Sequence, residues 1–213
     1  LLAKRAASIL KHIPTIRLVG VSGSVAINNA DKDDDIDLFI ITSTNTIWLT
    51  RLLTMIVVEL FSKRRRPNDQ DVADKICFNM YMDEDFLAIP KEKQNLYIAH
   101  EICQLKVFYE RDDTYQKFLR ANKWVSRFLP NAINLIKDKR LMIKENKRNS
   151  LIRNHKSLIV LELIAKKIQL WYMRRRRTSE VITDHYLAFH PKDYTQDVLT
   201  AFKKKVALYG AQV

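Results

Sequence analysis

Glycine is scarce in this chain, and its placement constrains the fold more than any other feature of the sequence. Only three glycines occur among 213 residues, and two of them, Gly20 and Gly23, lie within residues 18–42. An apolar segment precedes Gly23 and Ser24 follows it, which predicts a strand that turns into a short helix. Glycine permits a positive φ and close approach of a ligand to the main chain. With the Ser24 hydroxyl and the unpaired N–H groups at the helix start, this turn is expected to bind phosphate.

A pair of carboxylates follows the turn. Asp35 and Asp37 stand two residues apart and run into the apolar segment 38–41, LFII, which is typical of a buried strand. Residues two apart on a strand point to the same face of the sheet, so both carboxylates project together. Such oxygen ligands suit Mg²⁺ or Mn²⁺, and we predict that both residues are catalytic metal ligands beside the phosphate site. The preceding acidic residues are interpreted as a solvated loop: Asp31, Asp33 and Asp34.

The spacing of these two features has a family resemblance. Gly23-Ser24, a spacer of about ten residues and Asp35-Ile36-Asp37-Leu38 together resemble the signature of the DNA polymerase beta-type nucleotidyltransferase superfamily, over about the first ninety residues. The resemblance implies that a nucleoside triphosphate binds at Gly23-Ser24 and that the two aspartates hold two metal ions. A hydroxyl group of an acceptor would attack the α-phosphate, and pyrophosphate would leave. An acidic surface loop over residues 31–37 is the alternative interpretation.

The resemblance also implies a third carboxylate on a neighbouring strand, as a metal ligand and as the base for the attacking hydroxyl group. Residues 75–82, KICFNMYM, predict that strand. Its alternation would place four apolar residues on one face: Ile76, Phe78, Met80 and Met82. Asp83 falls on the opposite face and is the predicted third catalytic carboxylate, with Asp74 and Asp85 as competitors. Asn79 stands at mid-strand, where a carboxylate would be expected, and without a third carboxylate the site would bind nucleotide but catalyse poorly.

The charge of the chain favours an anionic partner. The formal net charge is +13 at pH 7, which is typical of proteins that bind nucleic acid or nucleoside triphosphates. Lys75 is the predicted contact to the nucleotide phosphates, with Arg51 and the basic residues 63–66 as alternatives. RNA is the favoured acceptor, ahead of a small molecule or a protein side chain.

Two further features concern the compartment. Cys77 and Cys103 lie in apolar contexts that indicate buried thiols of a reducing compartment, so we expect a cytoplasmic protein. Residues 46–61 are largely apolar, but the segment is shorter than the roughly twenty residues that span a bilayer, and it contains Arg51 and Glu59. We therefore expect a buried helix there and no membrane association.

The sequence predicts an α+β protein with two domains. A small mixed-sheet nucleotidyltransferase head is expected over residues 1–89, with a boundary at Ile89-Pro90. No strand is predicted after Pro90, and the spacing of apolar residues indicates an all-helical bundle over residues 90–213. The predicted helices of this second domain cover residues 91–109, 115–128, 131–146, 150–177 and 194–209.

Two other functions are compatible with the sequence. A degenerate nucleotidyltransferase head would bind nucleotide or RNA without turnover, or act as an antitoxin-like partner of another chain, and Asn79 in place of an acid favours this interpretation. A ribonuclease is the third hypothesis, because Arg148 and His155 resemble the Arg-spacer-His pattern of HEPN ribonucleases. These two residues are seven positions apart, or two helical turns, and would share one helix face.

Overall fold

Apolar segments of the chain build a mixed sheet. The computed structural model describes residues 2–66, 69–132, 156–174, 181–189 and 195–208. The strands are β1 (Ile16–Val21), β2 (Ile36–Thr42), β3 (Ile76–Asp83), β4 (Lys106–Glu110), β5 (Val181–Ile182) and β6 (Tyr186–Ala188). They lie in the order β4-β1-β2-β3-β6-β5, with β2 and β3 parallel and the other neighbouring strands antiparallel. Together with the helices, this mixed sheet confirms the predicted α+β class.

The helices account for most of the remaining described chain. They are α1 (Leu2–Leu10), α2 (Gly23–Ala26), α3 (Ile47–Phe61), α4 (Leu96–Gln104), α5 (Thr114–Ala121), α6 (Lys156–Met173) and α7 (Thr195–Leu208), with 3₁₀ turns at Lys91–Lys93 and Lys123–Arg127. α3 confirms the helix predicted over residues 46–61. Within the described ranges, no helix combines the length and the apolar character of a membrane-crossing segment.

The sheet separates two hydrophobic clusters. On β2, Leu38 and Ile40 belong to a cluster with residues of α1 and α3, whereas Phe39 and Ile41 belong to a cluster with residues of α4 and α5. Successive side chains of a strand point to opposite faces. Asp37 therefore lies on the face of Phe39, toward α4, and away from Leu38, as the alternation of the sequence predicts.

A bulge in β3 changes the predicted pattern of that strand. Leu38 pairs with Phe78, and the next residue of β2, Phe39, pairs with Met80, so Asn79 is the extra residue. Beyond the bulge the two faces are exchanged: Tyr81 joins Phe78 in one cluster, whereas Met80 packs against the other. The prediction that Ile76, Phe78, Met80 and Met82 share one face is therefore wrong. Simple alternation fails wherever one strand carries an additional residue.

Among the described residues, the chain after Pro90 contributes three strands where none was predicted. β4 pairs with β1, and β6 pairs with β3, so residues on both sides of the predicted boundary share the sheet. The predicted helix over residues 91–109 divides into α4 and β4, because Leu105 leaves the helical conformation with φ −51° and ψ 122°. The apolar residues of α4 and of β4 continue one helical spacing in the sequence, which concealed the change.

The remaining helix predictions are confirmed wholly or in part where the structure describes their residues. The prediction over residues 115–128 is confirmed in part, as α5 and the following 3₁₀ turn. Those over residues 150–177 and 194–209 are confirmed over the described lengths of α6 and α7. The helix predicted over residues 131–146 lies, beyond Ala132, outside the described residues.

A buried carboxylate on α6 holds the start of α3. Glu162 accepts hydrogen bonds from the N–H groups of Trp48 at 2.8 Å and Leu49 at 2.7 Å. Thr46, which precedes α3, gives it no side-chain cap. The first N–H groups of a helix have no partner within the helix, and a carboxylate satisfies them with a favourable charge. Glu162 thereby replaces a local cap and ties α6 to the sheet domain.

We expect Glu162→Ala to lower the free energy of unfolding by about 2–3 kcal/mol, because two buried N–H groups lose their acceptors. Glu162→Gln keeps one acceptor oxygen and is the matched control, with an expected loss of roughly half as much. Urea unfolding followed by circular dichroism measures both. Equal stability of Glu162→Ala and the wild type would contradict this role.

Candidate active site

The turn at Gly23 brings the main chain against a carboxylate. Gly23 begins α2 with φ +68°, a left-handed conformation that glycine adopts at less cost than residues with a Cβ atom. A Cβ atom built at this position would lie 2.9 Å from Asp37 Oδ2. The Ser22 N–H also donates to the Asp37 carbonyl oxygen at 3.0 Å. The turn and the carboxylate predicted from the sequence are therefore parts of one site.

An arginine neutralises the first aspartate. Arg65 donates from Nη1 to Asp35 Oδ2 at 2.6 Å, and both side chains are mostly buried. The backbone holds Arg65 in place, because its N–H donates to the Ile76 carbonyl oxygen at 2.9 Å. A guanidinium group with a fixed fork of donors is well suited to carboxylate and phosphate oxygens. Of the basic residues 63–66, Arg65 is the one that contacts the predicted pair.

A cysteine lies beside the second aspartate. β2 and β3 pair in a register that places Cys77 opposite Asp37, and the interaction of the thiol with the carboxylate lowers the pKa of Asp37. One ligand atom each from Asp35, Asp37 and Cys77 lies within 4.8 Å of the other two. Carboxylate oxygens and sulfur are both metal donors, so this donor set fits a divalent cation.

Burial and neighbouring negative charges raise the pKa values of two groups in the site. Burial, the negative charge of Asp35 and, to the smallest extent, that of Glu101 together raise the pKa of Asp37 from 3.8 to about 7, against the opposing effects of Cys77 and Arg65. Burial and the neighbouring aspartates also raise the pKa of the Cys77 thiol well above its usual range. A cation bound here would relieve the repulsion between the two carboxylates and favour their charged forms.

A third carboxylate comes from α4, and sequence reasoning missed it. Burial raises the pKa of Glu101, and the effect of the Gly23 N–H opposes this rise. The charge of Glu101 also acts on Asp37. Nothing near the motif signals Glu101, since it follows the motif by more than sixty residues and reaches the site only through the packing of α4 on the sheet.

The predicted phosphate contacts have other partners in this structure. Ser24 Oγ donates to Asp34 Oδ2 at 2.6 Å, so part of the acidic loop is a hydrogen-bonding partner of the turn as well as a solvated segment. Lys75 Nζ is ion-paired with Asp69 Oδ2 at 2.9 Å. Ser24 therefore lies at the site. Lys75 is instead ion-paired with Asp69, which does not belong to the Asp35 and Asp37 pair.

The structure does not bring Asp83 to the carboxylate pair. Asp83 pairs with Thr42 at the far end of β2, whereas Asp37 pairs with Cys77 near its start. The Asp83 carboxylate accepts hydrogen bonds from the N–H groups of Asn45 at 2.8 Å and Asp85 at 3.0 Å. Its contacts are those of a residue that fixes the loop before α3, and Asp85 lies in the same distant region.

Asp74 and Asn79 contact residues that border the turn and the carboxylate pair. The Asp74 N–H donates to the Asp34 carbonyl oxygen at 3.2 Å, in the loop that precedes β3. Asn79 Nδ2 is 3.4 Å from Ser22 Oγ. The ribonuclease hypothesis rests on Arg148 and His155, which lie outside the described residues.

Comparison with known proteins identifies a family for the chain. No curated protein matches the chain. One similar solved structure is described as a crystal structure of a toxin-antitoxin with AMP-PNP; it shares 13% sequence identity, covers 63% of this chain and 96% of its own, and has a TM-score of 0.35. The model of the nucleotidyltransferase domain family matches residues 3–180, which is more than half of the sequence. The chain therefore belongs to the nucleotidyltransferase domain family.

Proposed function

We propose that the protein is a divalent-metal-dependent nucleotidyltransferase that moves a nucleoside monophosphate from a nucleoside triphosphate to a hydroxyl group of an acceptor. Family membership supports transfer of a nucleotidyl group in general. The observation that carries the specific proposal is the contact between the Gly23 turn and Asp37, with 2.9 Å from a built Cβ to the carboxylate oxygen. A phosphate bound at the turn would lie directly beside the carboxylate pair.

The residues have distinct parts in this proposal. The N–H groups at Gly23 would bind phosphate oxygens, and the Ser24 hydroxyl would do so after Asp34 releases it. Asp35 and Asp37 would hold Mg²⁺ or Mn²⁺. The bound cation would neutralise phosphate charge and so lower the barrier to displacement at phosphorus.

A positively charged side chain of the protein would bind the leaving pyrophosphate. Arg65 contacts Asp35 in this structure, and a metal ion on that carboxylate would leave the guanidinium group able to bind phosphate oxygens. We assign this part to Arg65 ahead of Lys75, because the Lys75 ammonium group is paired with Asp69.

RNA is the acceptor that the charge of the protein favours. The chain carries a formal net charge of +13, which attracts a polyanion irrespective of its sequence. On α6 the side chains of Trp171 and Tyr172 are 77% and 57% exposed, and aromatic rings of this kind stack on unpaired bases. These features support RNA over a small neutral acceptor.

Labelled nucleotides test the proposed function. The protein is incubated with each α-³²P-labelled nucleoside triphosphate, Mg²⁺ or Mn²⁺, and either bulk RNA or bulk protein. We expect covalent label on RNA with the wild type and none with Asp35→Asn/Asp37→Asn. Asp33→Asn, which removes an exposed loop carboxylate, is the matched control and should keep activity. Label on protein instead would reassign the acceptor, and no label with any nucleotide would contradict the proposed enzyme.

A binding module without turnover is the second candidate. Cys77 lies opposite Asp37, and Asn79 occupies the bulge, in the strand where a catalytic carboxylate would be expected. A protein of this kind would bind nucleoside triphosphate with a dissociation constant that depends on Asp35 and Asp37 but would transfer no label. Equilibrium binding measured beside the labelling reaction separates the two candidates.

The position of Asp83 gives a separate prediction. We expect Asp83→Asn to lower the free energy of unfolding by about 1–2 kcal/mol, because the amide replaces one of two carboxylate acceptors of backbone N–H groups. Transfer of label by the folded variant should stay within about twofold of the wild type, since the loop it holds is remote from the pair. A loss of transfer as large as that of Asp37→Asn would restore the catalytic role predicted from the sequence.

A further inference from the structure

The residue opposite Asp37 on the neighbouring strand is a thiol. The parallel register of β2 and β3 fixes this position, and the bulge at Asn79 turns the downstream residues of β3 to other faces. Asp83, the nearest carboxylate that follows on β3, lies at the other end of the pairing. The strand next to the aspartates therefore presents a sulfur atom. An oxygen ligand at this position would give a site made of hard oxygen ligands alone.

The three candidate ligands are close enough to share one ion. Ligand atoms of Asp35, Asp37 and Cys77 lie within 4.8 Å of one another, and Cys77 stands opposite Asp37 in the pairing of β2 with β3. All three side chains are partly buried; Asp37 and Cys77 lie on adjacent strands, and Asp35 directly precedes β2. The other cysteine, Cys103, lies on α4 outside this group.

Ligand chemistry then determines which ion such a site prefers. Oxygen ligands alone suit Mg²⁺ and Mn²⁺, whereas sulfur binds softer ions such as Zn²⁺ and Co²⁺ and contributes little to Mg²⁺. Affinity for first-row ions also rises from Mn²⁺ to Co²⁺ at a given site. A thiol beside two carboxylates adds to that trend.

We propose that Asp35, Asp37 and Cys77 form a mixed oxygen and sulfur metal site that binds a borderline ion of the Co²⁺ or Zn²⁺ class in preference to Mg²⁺. This inference rests on the proposed function and refines its metal: Asp35 and Asp37 bind Mg²⁺ or Mn²⁺ as proposed above, and Cys77 raises the affinity of the same site for softer ions above its affinity for Mg²⁺. Cys77 is the residue that sets the preference, and the two aspartates supply the ligands that any divalent ion would use.

Cobalt reports sulfur coordination directly. The chain contains two cysteines, so Cys103→Ser leaves Cys77 as the single thiol. Reduced protein without added thiols is titrated with Co²⁺, and absorption is recorded in the near ultraviolet, where cobalt bound to sulfur gives a charge-transfer band. We expect this band in Cys103→Ser and its loss in Cys103→Ser/Cys77→Ser. Circular dichroism of each variant establishes that it is folded.

Calorimetric affinities give a second, independent test. Cys77→Ser should lower Co²⁺ affinity by at least about tenfold and change Mg²⁺ affinity by less than about threefold, because only the softer ion uses the sulfur. Cys77→Asp should raise Mg²⁺ affinity by about tenfold, since it adds an oxygen ligand at the same position. Parallel losses of both affinities in Cys77→Ser would indicate a structural role and overturn the proposal.

Other outcomes are equally decisive. Co²⁺ that binds without the charge-transfer band, or no Co²⁺ binding at all, would overturn the mixed site. Label transfer with Mg²⁺ in the absence of a cobalt band would leave the proposed function standing and remove only this inference. A cobalt band that depends on Cys77, in a protein that transfers no label with any nucleotide or metal, would support the metal site and contradict the enzyme.

Discussion

Asp37→Asn is expected to abolish nucleotidyl transfer and, at pH 8, to make the protein more stable. Transfer should fall by at least about a thousandfold, equivalent to roughly 4 kcal/mol of transition-state stabilisation, because the variant loses a metal ligand. The gain in stability has a separate cause, which is the environment of the carboxylate in the metal-free protein. Both effects arise from one side chain, and they have opposite signs.

The pH dependence of the stability follows from the raised pKa of Asp37. Burial, with the charge of Asp35, raises this pKa from 3.8 to about 7. Between these two values the folded protein holds a proton that the unfolded chain has released, so the free energy of unfolding falls as pH rises through this range. At pH 8 the charged carboxylate therefore costs stability, and at pH 4 the cost is largely absent.

An amide removes that cost without removing the hydrogen-bond acceptor. We expect Asp37→Asn to gain roughly 2 kcal/mol at pH 8, less than the full pKa shift implies because the side chain is partly exposed to solvent. At pH 4 the gain should be small. Urea unfolding at the two pH values, in the presence of a chelator, measures the difference. A gain that is equal at both pH values, or transfer that survives the substitution, would contradict the assignment of Asp37.

Gly23→Ala is expected to be the most damaging change of a single methyl group in the site. The backbone at Gly23 has φ +68°, and the new Cβ would lie 2.9 Å from Asp37 Oδ2. Strain and contact should together lower the free energy of unfolding by about 2 kcal/mol or more. Because the carboxylate must move away, transfer should fall by at least about a hundredfold, as displacements of about 1 Å do in other sites.

Gly20→Ala is the control for this substitution. A Cβ at Gly20 would lie 3.0 Å from Leu105 Cδ1, which is the end of a flexible side chain, and Gly20 lies on the extended strand β1. Leu105 is able to adjust, so we expect a smaller loss of stability and retained transfer. Transfer and urea unfolding are compared for both variants. Equal losses of transfer in both would show that packing of β1, rather than the Gly23 turn, limits activity.

The sequence identifies the part of the site that is local in the chain. Gly23, Asp35 and Asp37 lie within fifteen residues of one another, and turn chemistry with strand alternation is sufficient to bring them together. The structure adds contributions from distant segments: Arg65 from the loop after α3, Cys77 from β3 and Glu101 from α4. Their positions depend on strand register and helix packing, which a single sequence does not encode in any local pattern.

The errors in the fold have similar causes. The bulge at Asn79 depends on how β3 pairs with β2, so the alternation of β3 alone could not reveal it. β5 and β6 have only two and three residues, too few for a periodic pattern to be recognised. β4 follows α4 without a glycine or proline between them, so the usual signal for a change of element is absent.

The measurement that tests the central claim most directly is the effect of metal on nucleotide binding. A non-hydrolysable nucleoside triphosphate analogue is titrated calorimetrically into the wild type, Asp35→Asn/Asp37→Asn and Asp33→Asn, with and without Mn²⁺. If the Gly23 turn and the carboxylate pair form one site, Mn²⁺ should strengthen binding by at least about tenfold in the wild type and in Asp33→Asn. The double variant should show no such gain, and without metal it should bind at least as tightly as the wild type, because two negative charges are gone. Nucleotide binding that is indifferent to Mn²⁺ in the wild type, or a gain that persists in the double variant, would contradict the claim.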